Sequence, residues 1–333
     1  MIPVPPIYQA ANLRLSRGVP APPGVTKALQ RDLRRLGYLR AGIDGIFGGE
    51  TESAVQALQY DLLHNAGAGP DGGSLVRVSD YNRGRVIAVD GVVGESLAAT
   101  MAEMLADERF AKVPESADPQ SENARVAVAL AAMESVDVPV PFLIGVLKQE
   151  SGLKHFCEPT PSNEDNFVVV GMDRNAAGEP AITSRGYGVG QYTLFHHPPT
   201  PDEVRDVILD PCANVQKTIR ELAAKFAGFV NGATPASRAD DRRAEAGSGP
   251  LRLCRYAPGD PRYMRACREC LAAAGTTEIA LAPTQYHPES VYRGVPRRQN
   301  LGCDWPYAVR RYNGAGVNSY HYQAQVLLRV LNG

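Results

Sequence analysis

Pro141-Phe-Leu-Ile-Gly-Val-Leu-Lys-Gln-Glu-Ser-Gly-Leu153 is the stretch on which the reading of this 333-residue chain turns. Phe142, Leu143, Val146 and Leu147 recur at the spacing of one helical face. Glu150 comes three positions after Leu147, where that apolar face runs out, and Ser151-Gly152 interrupts the pattern. A carboxyl at the edge of an apolar face is partly withdrawn from water and holds its proton more tightly, which suits it to donate that proton near neutral pH. Taken alone, a Glu at a helix end is more often a solvated cap or ion-pair partner.

Two further motifs downstream shift that balance. Glu150-Ser-Gly-x-x-x-Phe156 is succeeded by Ser184-Arg-Gly-Tyr187-Gly188-Val-Gly-Gln191-Tyr-Thr-Leu-Phe195 and then, near the C-terminus, by Ala308-x-x-x-Tyr312-Asn313-Gly314. In that order the motifs resemble the lysozyme-like domain of soluble lytic transglycosylases and goose-type lysozymes, over roughly residues 123–333 with large insertions. The resemblance implies Glu-Ser at the end of a buried helix, Gly-x-x-Gln on the far wall of a cleft, and Tyr-Asn on a later helix. It therefore implies Glu150 as the catalytic acid, with Ser151, Tyr187, Gly188, Gln191, Tyr312 and Asn313 as substrate-binding or carboxyl-steering residues.

The N-terminal third carries a repeat. Val-Thr-Lys-Ala-Leu29-Gln30-x-x-Leu33-x-x-Leu36-Gly37-Tyr38 reads as an amphipathic helix closed by a glycine C-cap. Ile43-Asp44-Gly45-Ile-Phe47-Gly then makes a tight turn in which Phe47 fills the core, with Thr51 expected to cap a second helix. The turn recurs as Val89-Asp90-Gly91-Val-Val-Gly94, ahead of a helix over Leu97 to Leu105. This resembles the three-helix peptidoglycan-binding domain common on cell-wall hydrolases, matched by Leu-Gln at 29 and 30, Leu-Gly-Tyr at 36 to 38 and Asp-Gly-x-Phe-Gly at 44 to 48. Tyr38, Asp44, Phe47 and Asp90 are its candidate wall-binding residues. A Gly-rich insertion at 64–85 stands where the family has a short loop, and its position decides whether the groove near the second Asp-Gly turn is open.

The expected organisation is a Pro-rich arm over 1–24, the binding domain over 25–105, a linker or solvated segment over 106–122, and a catalytic domain over 123–333 with an insertion at 231–303. The fold class is mainly α (α+β), with a small β-hairpin at 166–184. Composition is that of a globular protein, 44% hydrophobic and 21% charged. A formal net charge of −1 gives no field for nucleic acid. Met1-Ile-Pro-Val-Pro-Pro-Ile-Tyr8 lacks the features of a secretory signal, and no stretch reaches membrane-span length. A wall-cutting enzyme of this kind is expected to reach the periplasm through a holin, as phage endolysins do, or through a secretion system, with an immunity protein as a further partner.

Several other groups invite a chemical reading. Glu134 sits before a Pro-rich turn and reads as solvated. Asp173-x-Asn-x-x-Gly178 faintly resembles a calcium loop, but Ala177 is no ligand and Ser184 stands where a bidentate Glu is needed. The pair His196-His197 lacks a third ligand nearby and reads as loop. No metal or cofactor is expected. The six cysteines at 157, 212, 254, 267, 270 and 303 are compatible with up to three disulfides, the rival being a zinc site from Cys254, Cys267, Cys270 and Cys303.

Inverting glycosidases need a second carboxylate across the sugar. Ile182-Thr183-Ser184 occupies the place where goose-type lysozymes carry Asp, so a single-acid mechanism is favoured, with Asp173 as the reserve second acid. The expected reaction is cleavage of the β-1,4 bond between N-acetylmuramic acid and N-acetylglucosamine. Glu150 acts as acid, then as base on the sugar's 6-hydroxyl, leaving 1,6-anhydro ends. The backbone of Gly188 to Gly190 and the Gln191 side chain are expected to stabilise the transition state. A hydrolytic muramidase and a non-catalytic wall-binding protein are the alternatives.

Overall fold

The computed structural model describes residues 8, 13–40, 42–64, 76–131, 138–175, 178–227, 253–256, 260–275, 277–280, 291–294, 300–314 and 317–333. Glu134, residues 65–75 of the 64–85 insertion and most of the 231–303 insertion lie outside them. The fold is mainly helical, with a three-stranded antiparallel sheet and a two-stranded one. The chain divides into two compact units, Met1–Arg125 with Lys154–Asn214, and Val126–Leu153 with Val215–Gly333.

In the first unit, α1 (Pro23–Arg35) starts on a proline, whose fixed φ suits the first helical turn. It ends ahead of Gly37, which takes φ +82°. Its Leu29 and Leu33 pack with Val55, Leu58 and Leu62 of α2 (Gly49–His64) and Leu97 and Met101 of α3 (Glu95–Ala106) in one apolar core. Two glutamines repeat one device. The Gln30 side chain donates to Asp44 Oδ1 (2.8 Å) and the Ile46 carbonyl (3.0 Å) and accepts from the Gly45 N–H (2.8 Å). Gln59 likewise donates to Asp90 Oδ1 (2.7 Å) and the Val92 carbonyl (3.2 Å) and accepts from the Gly91 N–H (2.9 Å). Each Leu-Gln pair thus buries its leucine and spends its amide on an Asp-Gly turn. Thr51, expected as a cap, lies inside α2, where it accepts from Gln30 (3.0 Å) and donates to the Ile46 carbonyl (3.3 Å).

Residues read as arm and linker are drawn into this core. Leu15 bridges Val93 through two backbone hydrogen bonds, and Tyr8 is buried with its hydroxyl on Asp32 (2.5 Å). Phe110 joins the same core, while Val113 is buried in a second one with Ile43, Phe156 and Phe167, its N–H donating to the Arg35 carbonyl (2.8 Å). Phe110 also meets His197 edge to face. His197, read as a loop residue, is a core histidine: it is buried, its Nε2 is bonded to the Leu36 carbonyl (2.9 Å), and burial keeps its pKa well below the usual value.

The three-stranded sheet is β1 (Val170–Arg174), β2 (Ile182–Tyr187) and β3 (Tyr192–Leu194), so the expected hairpin gains a third strand from the Gly-rich segment. It packs on Ile43, Phe156 and Phe167. Two buried ion pairs cross this unit among its described residues: Arg34 Nη2 lies 2.9 Å from Asp165 Oδ2 and Arg185 Nη2 3.6 Å from Asp61 Oδ2, all four side chains almost wholly shielded from water. Residues Pro201–Glu203 (α6) come after the sheet.

The second unit contains α5 (Val140–Ser151), α8 (Tyr263–Ala274), α9 (Trp305–Tyr312) and α10 (Val317–Asn332), with the C-terminal parts of α4 (Pro119–Ala131) and α7 (Pro211–Lys225). Gly145 lets α5 approach α10 closely: a Cβ there would lie 2.9 Å from Val330 Cγ2 and 3.2 Å from the Val326 carbonyl oxygen. Phe226 stacks on Trp305 with centroids 3.9 Å apart. The short strands Thr277–Ala280 and Val291–Gly294 pair antiparallel.

Candidate functional site

Glu150 stands one residue before the end of α5, which Gly152 closes in the left-handed conformation (φ +67°) with its N–H on the Leu147 and Lys148 carbonyls. Phe142, Leu143, Val146 and Leu147 are buried as their spacing requires, and Glu150 is half-buried where that face ends. Its carboxylate is not merely solvated. Tyr322 of α10 donates its hydroxyl to Glu150 Oε1 at 2.6 Å. The register that sets Gly145 against Val326 and Val330 brings Tyr322, one turn before Val326, to the end of α5. Burial, and then the Glu150 charge, push the Tyr322 hydroxyl far above the ordinary phenol range, so it donates at any physiological pH. Tyr312 lies within the same electrostatic field. Burial and the Glu150 charge raise its pKa, and a hydrogen bond from Thr218 works against them.

The arrangement fixes one carboxyl oxygen by a permanent neutral donor, which orients the group. The Ser151 hydroxyl donates back to the Leu147 carbonyl (3.3 Å). Asn313 is the exposed C-cap residue of α9. Of the two motif residues on that helix, Tyr312 is therefore the one coupled to Glu150. Tyr322 was missed from the sequence, and the aromatic pair flanking His321 was its one trace.

In the first unit the Gly-rich segment forms a tight turn from β2 to β3. Its backbone donors are spent internally: Gly188 N–H on the Val169 carbonyl (2.8 Å), Val189 N–H on His155 Nδ1 (3.2 Å), Gly190 N–H on Asn214 Oδ1 (2.8 Å). The expected backbone cradle for a transition state is thus a cradle for His155 and Asn214. A Cβ on Gly188 (φ +75°) would fall 2.4 Å from the His155 ring. Gln191, at φ +52°, donates its amide to the Gly188 carbonyl (2.8 Å), and its Oε1 packs where side chains on Gly171 and Gly186 would clash. Tyr187 is fully buried and points into the core, not to a ligand surface. Burial pushes its hydroxyl up to about 12. Asp173 is exposed on β1 and accepts from the Ser184 hydroxyl (2.8 Å).

His155 Nδ1 accepts from Val189, so its proton sits on Nε2, which faces the Ile208 carbonyl at 2.8 Å. Burial lowers its pKa to about 4. The unfolded chain takes a proton here near pH 6.5 and the folded one does not. The stabilisation from this group is therefore complete above that pH and is lost as pH falls from about 6.5 towards 4. Asp61, whose pKa burial raises to about 6, acts in the opposite direction over the lower part of that window. In an NMR titration between pH 5 and 8 the His155 Cε1 resonance is expected not to move. A sigmoid centred near 6.5 would contradict the clamp.

The Asp-Gly turns offer a second surface. Tyr38 and Phe47, both candidate wall contacts, are core residues, as the place of Phe47 in its turn already indicated. Tyr38 is buried with its hydroxyl on Asp61 (2.7 Å) and the Arg185 guanidinium 5.0 Å over its ring, and Phe47 is 9% exposed. They fail as contact residues because apolar burial claims both. Asp44 and Asp90 are exposed, each with Oδ1 committed to its turn. Beside the second turn lies a cleft of about 370 Å³ lined by Arg14, Gln59, Arg85, Ile87, Asp90 and Ser96, among others. Ile87 is 86% exposed, and Glu103 steadies Arg85 at 2.7 Å.

Residues 25–62, which contain most of α1, the first Asp-Gly turn and most of α2, match the peptidoglycan binding domain family, so the chain contains a peptidoglycan-binding domain. No curated protein and no solved structure matches the chain. Among the described residues, no helix is long and apolar enough to cross a membrane.

Proposed function

We propose that the chain is a glycan-strand-cleaving enzyme of the bacterial cell wall, with Glu150 as its acid and base. The observation that carries this reading is the pairing of a half-buried carboxylate at a helix end with the hydroxyl of Tyr322 and the field of Tyr312. Glu150 Oε1 is held by Tyr322, and Oε2 delivers its proton to the oxygen of the β-1,4 bond between N-acetylmuramic acid and N-acetylglucosamine. Glu150, now a carboxylate, removes the proton of the sugar's own 6-hydroxyl as the 1,6-anhydro ring closes. Asp173, exposed and bonded to Ser184, is not needed as a base in this sequence of steps. A sugar contact by Gln191 rests on the family resemblance alone.

The peptidoglycan-binding domain brings the enzyme to its polymer, and the cleft beside Asp90 is the surface we assign to the wall. Its polar Arg14 and Ser96 and its exposed Ile87 suit a glycan or stem peptide, which presents hydroxyls and amides along with small apolar faces. Delivery as a phage endolysin or an injected effector, with an immunity protein as partner, fits this chemistry. Digestion of purified sacculi by the full chain, followed by mass spectrometry of the muropeptides, is expected to yield 1,6-anhydro ends. Reducing ends would make it a hydrolytic muramidase. Intact sacculi that still bind the protein would leave a wall-binding protein without catalysis.

A further inference from the structure

Four of the six cysteines line one small apolar pocket in the second unit. Cys254, Cys267, Cys270 and Cys303 surround a space of about 10 Å³, room for about one water molecule, together with Phe142, Leu271 and Pro306. Cys267 and Cys270 lie one turn apart on α8, while Cys254 and Cys303 arrive from the segments on either side of that helix. Cys254 is hydrogen-bonded to Cys267. The Cys270 sulfur abuts the residue before Cys303: a Cβ on Gly302 would lie 3.1 Å from Cys270 Sγ. Cys303 and Cys270 also act electrostatically on Cys267, so the four sulfurs form one group, in which the Cys254–Cys267 hydrogen bond leaves Cys270 and Cys303 as the remaining couple. Among the described residues, no three ligand side chains stand where they would hold a metal ion together. The remaining thiols have other surroundings. Cys157 accepts from Arg34 (3.4 Å), and Cys212 contacts the Arg125 carbonyl (3.9 Å).

We propose that this cluster is an oxidisable site that closes into two disulfides, Cys254–Cys267 and Cys270–Cys303, while Cys157 and Cys212 stay reduced. Each pair joins a half-buried sulfur to a fully buried one. The half-buried member meets the oxidant. A low-molecular-weight disulfide such as oxidised glutathione is attacked by its thiolate, one glutathione leaves as a thiol, and a mixed disulfide remains. The buried partner, on losing its proton, attacks the protein sulfur of that mixed disulfide and expels the second glutathione thiol. Each closure thus reduces one glutathione disulfide to two thiols and oxidises two cysteines. Burial holds the Cys267 and Cys303 thiols well above their ordinary range, the latter up to about 12, so the second step is the slow one. The two links would tie the residues flanking α8 to that helix and to the start of α9, beside Phe142 of α5. In a reducing compartment they stay open, and in an oxidising one they close. The inference does not rest on the lytic reading.

The test uses the full chain, purified with and without prior incubation in oxidised glutathione. After oxidation, denatured protein is expected to show two thiols reactive to a chromogenic disulfide reagent, those of Cys157 and Cys212. It should also show a mass about 4 Da below the reduced chain and non-reduced peptides joining Cys254 to Cys267 and Cys270 to Cys303. Reduction is expected to lower Tm by on the order of 10 °C. Six reactive thiols after oxidation, or linked peptides of any other pairing, would overturn the proposal. So would about one equivalent of zinc in the protein as purified with these four thiols protected, which would assign the cluster to a metal.

Discussion

Glu150→Gln is expected to slow the clearing of purified sacculi by about 10³-fold, with thermal stability close to that of the parent. The size of the loss reflects the role: a positioned general acid and base contributes about 10² to 10⁴. The unchanged stability reflects the geometry. Tyr322 donates to Glu150 Oε1 at 2.6 Å, and the amide oxygen of Gln accepts the same bond. The substitution removes the transferable proton and little else. The measurement is turbidity loss of sacculi for both chains, paired with a melting curve. A Glu150→Gln protein that clears sacculi at the parent rate would end the assignment, while a binding assay on the same sacculi would still report on the peptidoglycan-binding domain.

The second large effect concerns folding. Arg34→Ala is expected to cost about 3–5 kcal/mol in urea unfolding. Arg34 reaches Asp165 through both Nε (3.1 Å) and Nη2 (2.9 Å) and donates to the Leu39 carbonyl (2.9 Å), and both side chains are sealed from water. Truncation leaves a buried carboxylate without its counter-charge and a carbonyl without its donor. The double variant Arg34→Met with Asp165→Leu is expected to recover part of the loss, because it removes the unpaired charge while the Leu39 carbonyl and the Phe167 N–H stay without their partners. Equal destabilisation of the single and double variants would mean that packing, not charge, sets the cost.

Much of this was legible in the sequence where the signal was local. The helix of Glu150, its glycine stop and the inner bonds of the paired Asp-Gly turns each depend on residues within a few positions, and all formed as read, while the glutamines that fasten those turns come from 15 and 32 positions away. The misreadings came from contacts made at long range. Tyr38 was a candidate contact through its Leu-Gly-Tyr motif, yet Asp61 and Arg185, 23 and 147 positions on, enclose it. His197 reads as loop because no further ligand stands near it in sequence, and Leu36 and Phe110 make it core. Tyr322 and His155 carry no motif of their own. Only the register of α10 on α5, and the fold of the glycine turn, give them their partners. Phe110 and Val113 were hidden by the charges and prolines around them.

The two glutamine-locked corners share a single strut. α2 receives the first corner at Thr51 and sends out Gln59 to fasten the second, eight positions later on the same rigid rod. Each residue added between those points would swing Gln59 by about 100° around the helix and carry it off Asp90. Growth in length is therefore barred from this segment.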